Sequence, residues 1–158
     1  MINKFKPNYI LIPLYALGVQ LIGRSLTDAN SVWYANLIKP AYMPPNWVFG
    51  VVWTIIFALT TISALIFWNK AYGTKNFWYI IGMFIANSLF NVGWSYLFFV
   101  MHALGYALLR AITLEITVIG LITVLWKYSK TASLLLLPYA LWVGFAIILN
   151  YHIWLLNS

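Results

Sequence analysis

Long apolar stretches dominate the chain, and short polar connections separate them. The apolar stretches cover residues 9–26, 47–69, 77–100, 103–126 and 131–156. At about 1.5 Å of rise per residue, a helix of this length reaches across a bilayer core of about 30 Å. In lipid each backbone amide must be satisfied inside its own segment, so helices are expected. The pattern predicts an all-α membrane protein, a bundle of five transmembrane helices in a single domain over residues 1–158.

Composition also indicates lipid as the solvent. Hydrophobic residues make up 64% of the chain, charged residues make up 7%, and the mean hydropathy is +0.88. A soluble domain carries about 25% charged residues, so this chain has too little polar surface for water. No small-residue cleavage site follows the first apolar stretch, which predicts a retained helix rather than a signal peptide. The absence of cysteine excludes disulfides, thiol catalysis and iron–sulfur clusters.

The net charge of +7 is better explained by membrane topology than by nucleic-acid binding, because the basic residues flank the helices. We therefore expect no nucleic-acid partner. Counted by connection, six basic residues fall on one side of the membrane: Lys4, Lys6, Lys70, Lys75, Lys127 and Lys130. The opposite side has Arg24 and Lys39. The positive-inside rule predicts a cytoplasmic N-terminus, with the long loop and the C-terminus outside.

The connection over residues 27–46 is the only long one. Its prolines at positions 40, 44 and 45 disfavour a regular helix there. Trp33, Tyr34 and Leu37 make it apolar enough to pack onto the bundle. We therefore expect one long ordered loop between the first and second helices.

Apart from Trp33 in the long connection, the tryptophans fall into two groups by depth. Five lie near helix ends, where Trp collects in belts at the membrane interfaces: Trp47, Trp68, Trp78, Trp126 and Trp154. Trp53 and Trp94 lie roughly 9 Å inside the outer ends of their helices, and Trp142 lies near the middle of the membrane. An interfacial belt does not explain this depth, which leaves a ligand site or core packing.

Helical spacing groups the deep aromatic and amide residues on three faces. On the third helix the face contains Asn87, Asn91, Trp94 and Phe98, with Ser95 and, on the fifth helix, Asn150 at similar depth. The fifth helix has Trp142, Phe145 or Ala146, Leu149 and Ile153, and the second has Trp47, Gly50, Trp53 or Thr54, and Phe57. Amides deep in a membrane segment usually face the bundle interior. The faces predict an apolar pocket with a few polar contacts under the long loop; alternatively, the amides only join helices by hydrogen bonds.

Ordered motifs along nearly the whole chain resemble a known family. They are Trp33-Tyr34-x-x-Leu37-x-Lys39-Pro40-x-x-x-Pro44-Pro45, Phe49-Gly50-x-x-Trp53, Asn87-x-x-x-Asn91-x-x-Trp94-Ser95-x-Leu97-Phe98-Phe99, and Pro138-Tyr139-x-x-Trp142-x-x-Phe145-Ala146-x-x-Leu149-Asn150-x-x-x-Trp154. This order and spacing resemble the tryptophan-rich sensory protein family, TspO/MBR, which includes the mitochondrial translocator protein, or peripheral benzodiazepine receptor. The resemblance implies a five-helix bundle that binds porphyrins and, in some members, sterols and synthetic isoquinoline or benzodiazepine ligands.

The resemblance also places candidate residues on this sequence. Together with the helical faces, it gives ten ligand-binding candidates: Tyr34, Trp53, Asn87, Asn91, Trp94, Ser95, Trp142, Phe145, Ala146 and Leu149. It implies a homodimer, with Gly82-x-x-x-Ala86 on the third helix as a candidate interface because small residues let helix backbones approach. Sterol binding stays open, since Leu149 and Tyr151 lack the basic residue that completes the sterol pattern. The family's distribution favours a multi-pass protein of the bacterial cell membrane.

A tetrapyrrole is flat and apolar and carries two propionates. Aromatic faces can stack on the macrocycle. Arg24 and Lys39, on the loop side, are candidates for contacting the propionates, and interfacial anchoring is the alternative. His102 and His152 lie near helix ends, so we expect a metal-free porphyrin as ligand, with no metal site and no obligatory cofactor.

Three function classes remain open from the sequence. The main hypothesis is a membrane protein that binds porphyrin in tetrapyrrole sensing, transport or turnover. The second is an enzyme that degrades porphyrin with light and oxygen, as the resemblance suggests, with Trp53 and Trp142 as electron donors. The third is a transporter or channel, for which Arg110 and Glu115 are the only ionisable candidates inside a span.

Overall fold

The computed structural model describes residues 7–158, and within them every regular element is helical. Within these residues, five spans are long and apolar enough to cross a membrane. They are Asn8–Leu26, Asn46–Ala71, Phe77–Val100, Leu104–Trp126 and Lys130–Asn157. The predicted all-α bundle of five transmembrane helices is confirmed, and the chain is a multi-pass membrane protein.

The helices are numbered along the chain, and two spans contain an irregular turn. The elements are α1 (Asn8–Leu26), α2 (Val32–Asn36), α3 (Asn46–Ala71), α4 (Phe77–Ser95), α5 (Leu104–Trp126), α6 (Lys130–Leu134) and α7 (Leu137–Asn157). The third span continues beyond α4 as a π-helical turn, Tyr96–Val100. The fifth span is interrupted between α6 and α7, where Pro138 occupies the first turn of α7. Proline lacks a backbone N–H and fits a helix start better than an interior.

The helices form a ring in which each packs on its neighbours. Helix α1 packs on α3 and α4, α4 packs on α5, and α5 packs on α7, while α6 packs on α3 and α5. Two serine hydroxyls fix α6 in place. Ser63 Oγ donates to the Ala132 carbonyl at 2.6 Å, and Ser133 Oγ donates to the Ile122 carbonyl at 2.6 Å.

An aromatic and aliphatic core fills the end of the bundle at the connections from α3 to α4 and from α5 to α6. Its buried members are Phe67, Ala71, Phe77, Ile80, Leu121, Leu125 and Leu136. At this end Lys70 Nζ donates to Ser129 Oγ at 3.3 Å, which places the second and fourth connections together. Lys4 and Lys6 lie outside the described residues. The orientation of this end toward the cytoplasm stays a prediction.

The long connection covers the opposite end of the bundle. It contains the short helix α2, which Ser31 caps by accepting a hydrogen bond from the Tyr34 backbone N–H at 3.3 Å. Beyond α2, the segment with the prolines contains a single turn, closed by the Met43 backbone N–H on the Pro40 carbonyl at 3.0 Å, and no helix until α3 begins. Asn157 at the end of α7 bonds both backbone groups of Ile38, each at 2.9 Å. The loop and the last turn of α7 therefore lie at the same end.

Candidate functional site

A small cavity lies inside the membrane span between α1, α3 and α4, with Tyr139 of α7 on its far wall. Its volume is about 70 Å³. The lining residues are Ile12, Tyr15, Ala16, Val19, Trp53, Ile56, Phe57, Thr60, Thr61, Ala64, Phe84, Asn87, Ser88, Asn91 and Tyr139. Most of this surface is apolar, and the polar groups come from α3, α4 and the two tyrosines. This is the usual form of a site for a small, mainly apolar molecule.

A chain of hydrogen bonds joins three helices at the wall of this cavity. Asn91 Nδ2 donates to the Tyr139 hydroxyl at 3.1 Å, and that hydroxyl donates to Asn87 Oδ1 at 3.0 Å. Asn87 Nδ2 then donates to Thr117 Oγ1 of α5 at 2.8 Å. The deep amides therefore bridge helices, as the alternative interpretation of the sequence held, and both also line the cavity.

Trp53 and Trp142 belong to one apolar cluster beside the cavity. Trp53 meets the Tyr139 ring edge to face, with 5.9 Å between ring centres. Trp142 packs against Phe49 at 5.4 Å and Phe145 at 5.6 Å. The Trp142 indole Nε1 is buried and has no hydrogen-bond partner. A buried donor without a partner is uncommon and calls for an explanation.

Trp94 lies in a different cluster, directly beneath the long loop. It packs on Phe98 at 5.2 Å between ring centres, next to the buried Tyr34. Its indole Nε1 donates to Asn150 Oδ1 at 3.0 Å, and Asn150 Nδ2 donates to the Leu104 carbonyl at 3.1 Å. The indole N–H of Trp94 is therefore satisfied by the protein, unlike that of Trp142.

The structure divides the ten ligand-binding candidates. Trp53, Asn87 and Asn91 line the cavity. The other seven lie outside its lining, packed under the loop or along α7: Tyr34, Trp94, Ser95, Trp142, Phe145, Ala146 and Leu149. The cavity itself lies between α1, α3 and α4 rather than under the loop. The sequence predicted walls from the second, third and fifth spans, which are α3, α4 and α7. In the structure α1 forms one wall, and α7 contributes only Tyr139.

Sequence reasoning missed several lining residues. The wall from α1, which includes Tyr15 and Val19, was not predicted, because α1 carries no deep tryptophan or asparagine of the kind that marked the other faces. Tyr139 and Thr60 were also not among the candidates. The position of Tyr139, one helical turn before Trp142, is the signal that could have identified it.

The two cations on the loop side are placed differently. Lys39 Nζ donates to the carbonyls of Tyr34 and Leu37, the second at 3.5 Å, and lies 4.3 Å from the centre of the Tyr34 ring. Burial raises the pKa of the Tyr34 hydroxyl, so this group stays protonated near neutral pH. Arg24 is exposed in the last turn of α1. A propionate contact by either cation stays a prediction.

The remaining ionisable candidates do not gather at the cavity. The Arg110 guanidinium lies 5.1 Å from the centre of the Phe90 ring, and Glu115 Oε2 is buried without a hydrogen-bond partner. His102 stacks on Trp33 with 3.8 Å between ring centres. Within residues 7–158, no group of three His, Asp or Glu side chains is arranged to hold a metal ion.

Of the two small residues in the candidate interface on α4, Gly82 faces away from the bundle. Gly82 is exposed, and a methyl group placed on it would contact nothing within 4 Å. Ala86, one turn later, is half-buried. The homodimer through these two residues stays a prediction.

Comparison with known proteins places this architecture in a family. The TspO/MBR family matches residues 9–155. The tryptophan-rich protein TspO of Archaeoglobus fulgidus is 40% identical, over 96% of this chain and 99% of its own length. That of Bacillus cereus is 31% identical, over 96% of this chain and 98% of its own length. The human translocator protein is 29% identical, over 88% of this chain and 83% of its own length.

The resemblance carried by the loop, amide and tryptophan motifs is thereby confirmed over almost the whole chain. This membrane protein belongs to the TspO/MBR family.

Proposed function

We propose that the protein binds porphyrin-type tetrapyrroles and similar flat apolar molecules within the membrane, acting in tetrapyrrole sensing, transport or turnover. The observation that carries the proposal is the cavity inside the spans, where aromatic rings and amides meet. Trp53 and Tyr139 supply ring surfaces, and Asn87 and Asn91 supply polar groups. Aromatic rings stack favourably on a flat macrocycle, by about 0.5–1.5 kcal/mol per pair beyond area burial.

The size of the cavity implies that binding opens the bundle. A volume of about 70 Å³ is well below the roughly 300–1,000 Å³ of common small-molecule sites. The wall formed by α1 is the weakest one, since Asn8 and Val19 are its only buried residues among those described. An outward shift of α1 would enlarge the cavity on the side that α1 closes.

Three side-chain hydrogen bonds hold α1 and its C-terminal cap to the bundle. Tyr15 pairs with Ser88 at 2.5 Å, Gln20 donates to Thr54 at 3.3 Å, and Thr27 donates to Ser95 at 3.4 Å. Each such bond contributes about 0.5–1.5 kcal/mol net. Burial of a large apolar ligand can offset the loss of one or two of these bonds.

The unpaired indole of Trp142 supports a ligand that extends beyond the present lining of the cavity. Its Nε1 is buried and without a partner, next to the ring of Phe49. A ligand that reaches this position can accept the hydrogen bond that the protein leaves unmade. Such a contact would hold the ligand between α3 and α7.

A porphyrin titration tests the proposal. Protoporphyrin IX is added to purified protein in detergent, and quenching of tryptophan fluorescence is followed for the wild type, Trp142→Phe and Asn91→Leu. We expect saturable binding to the wild type and roughly threefold or more weaker binding to both variants, because each loses a polar contact.

Trp126→Phe is the matched control, since Trp126 lies at the far end of α5, outside both clusters. Linear quenching without saturation in the wild type would contradict the proposal. Equal porphyrin affinity of the wild type, the control and both site variants would mean that any porphyrin site lies elsewhere.

A further inference from the structure

We propose that Thr60 is a ligand-contacting residue whose hydroxyl selects flat apolar molecules with a neutral hydrogen-bond acceptor, such as a ring nitrogen or a carbonyl. The inference rests on the proposed function, because it assigns a role within the same cavity. Thr60 lines that cavity, and its Oγ1 is buried without a hydrogen-bond partner.

The other threonines of α3 and α5 behave differently from Thr60. Each of them donates to a backbone carbonyl three or four residues earlier in its own helix: Thr54 to Gly50, Thr61 to Phe57, Thr113 to Leu109, Thr117 to Leu114, and Thr123 to Ile119 and Gly120. This bond is the local default for threonine in a helix. Thr60 lacks this bond, whereas the adjacent Thr61 makes it.

A hydroxyl in a membrane interior has few alternatives to the backbone. Lipid offers no hydrogen-bond partner, so an unpaired polar group is disfavoured there. The nearby Asn87, Asn91 and Tyr139 groups are already engaged with one another. The hydroxyl of Thr60 is therefore a lining group that is free to bond whatever occupies the cavity.

The position of Thr60 limits the chemistry of its partner. It is near the middle of α3, which spans Asn46–Ala71, and its neighbours in the lining include Ile56, Ala64 and Phe84. A charged group is strongly disfavoured at this depth. A carboxylate is thus excluded as partner, and the acceptor is neutral.

Two probes of the same shape separate this role from simple packing. Acridine and anthracene are flat tricyclic molecules that differ by one ring nitrogen in place of a C–H group. Binding of each is measured by equilibrium dialysis against the wild type, Thr60→Val, Thr60→Ser and Thr113→Val, at a pH where acridine is neutral. Thermal unfolding of each variant is recorded in parallel.

We expect Thr60→Val to weaken acridine binding roughly three- to tenfold and to leave anthracene unchanged, because only acridine accepts the bond. Thr60→Ser keeps the hydroxyl and restores acridine binding. Thr60→Val retains or raises the unfolding temperature, since it removes an unpaired buried hydroxyl. Thr113→Val, whose hydroxyl is bonded and lies outside the cavity, leaves both affinities unchanged.

Equal loss of both probes in Thr60→Val, or a lower unfolding temperature with unchanged affinities, would overturn the inference and assign Thr60 to packing. Equal binding of acridine and anthracene to the wild type would overturn it as well. A parallel titration with protoporphyrin IX separates the two proposals. If the wild type binds porphyrin and Thr60→Val binds acridine as tightly as the wild type does, only the proposed role of Thr60 fails.

Discussion

The hydroxyls of Tyr15 and Ser88 lie 2.5 Å apart and join α1 to α4 inside the membrane. Both side chains line the cavity, and both also line an apolar groove of about 480 Å³ between the same two helices. Val19 is the third residue common to the two spaces. This hydrogen bond therefore lies at the boundary between the interior of the bundle and the groove.

Removing the Tyr15 hydroxyl should ease the separation of α1 from α4. Tyr15→Phe keeps the ring and removes one hydrogen bond, so we expect a stability loss of about 0.5–1.5 kcal/mol. Porphyrin should associate and dissociate roughly three- to tenfold faster, because the opening of α1 needs less free energy. Stopped-flow tryptophan quenching measures both rates.

Tyr106→Phe is the control for that change, since Tyr106 is on the exposed surface of α5 and is 71% exposed. If Tyr15→Phe loses stability with unchanged rates, porphyrin reaches its site by another path.

The chain of hydrogen bonds through Tyr139 should stabilise the fold. Tyr139→Phe removes both the bond from Asn91 and the bond to Asn87, leaving two amide groups short of a partner at a buried position. We expect a loss of about 1–3 kcal/mol in the free energy of unfolding, measured by thermal unfolding in detergent. Tyr79→Phe, at an exposed position on α4, provides the comparison. A Tyr139→Phe protein as stable as Tyr79→Phe would show that the amides find other partners.

Much of the fold was predictable because the membrane restricts it. Apolar stretches of spanning length leave the backbone no alternative to helices, so the five spans followed from hydrophobicity alone. The buried amides were also foreseen, since Asn87 and Asn91 repeat at helical spacing within one span. The length of the connection over residues 27–46 and its three prolines then predicted the long loop.

Other features depend on tertiary contacts that no local pattern encodes. The part of α1 that faces the cavity carries no deep tryptophan or asparagine, so Tyr15 and Val19 were not assigned to the cavity. The fifth span is broken between α6 and α7, and Pro138 lies in the first turn of α7. The split of the tryptophans follows from which indole meets an acceptor: Trp94 reaches Asn150, and Trp142 reaches none.

That difference predicts that two matched substitutions act on different properties, one mainly on stability and the other on porphyrin affinity. Trp94→Phe leaves Asn150 Oδ1 without its donor, so we expect a stability loss of about 1–3 kcal/mol. Trp142→Phe breaks no hydrogen bond within the protein, so its stability loss should be smaller, while its porphyrin affinity falls. Thermal unfolding and fluorescence titration of both variants provide the test. A larger stability loss in Trp142→Phe would mean that its ring packing outweighs the bond of Trp94.

Lys39 should hold the loop in shape even when no ligand is bound. Its ammonium group donates to the carbonyls of Tyr34 and Leu37 and lies over the Tyr34 ring, so it replaces helical bonds that end with α2. Lys39→Met keeps the aliphatic stem and removes the charge and the donors. We expect hydrogen exchange in the peptide covering α2 to become roughly tenfold faster in the ligand-free protein, while Arg24→Met, in the exposed last turn of α1, leaves it unchanged. Unchanged exchange in Lys39→Met, together with weaker porphyrin binding, would instead assign the ammonium group to the propionates, because a ligand contact has no effect on the empty protein.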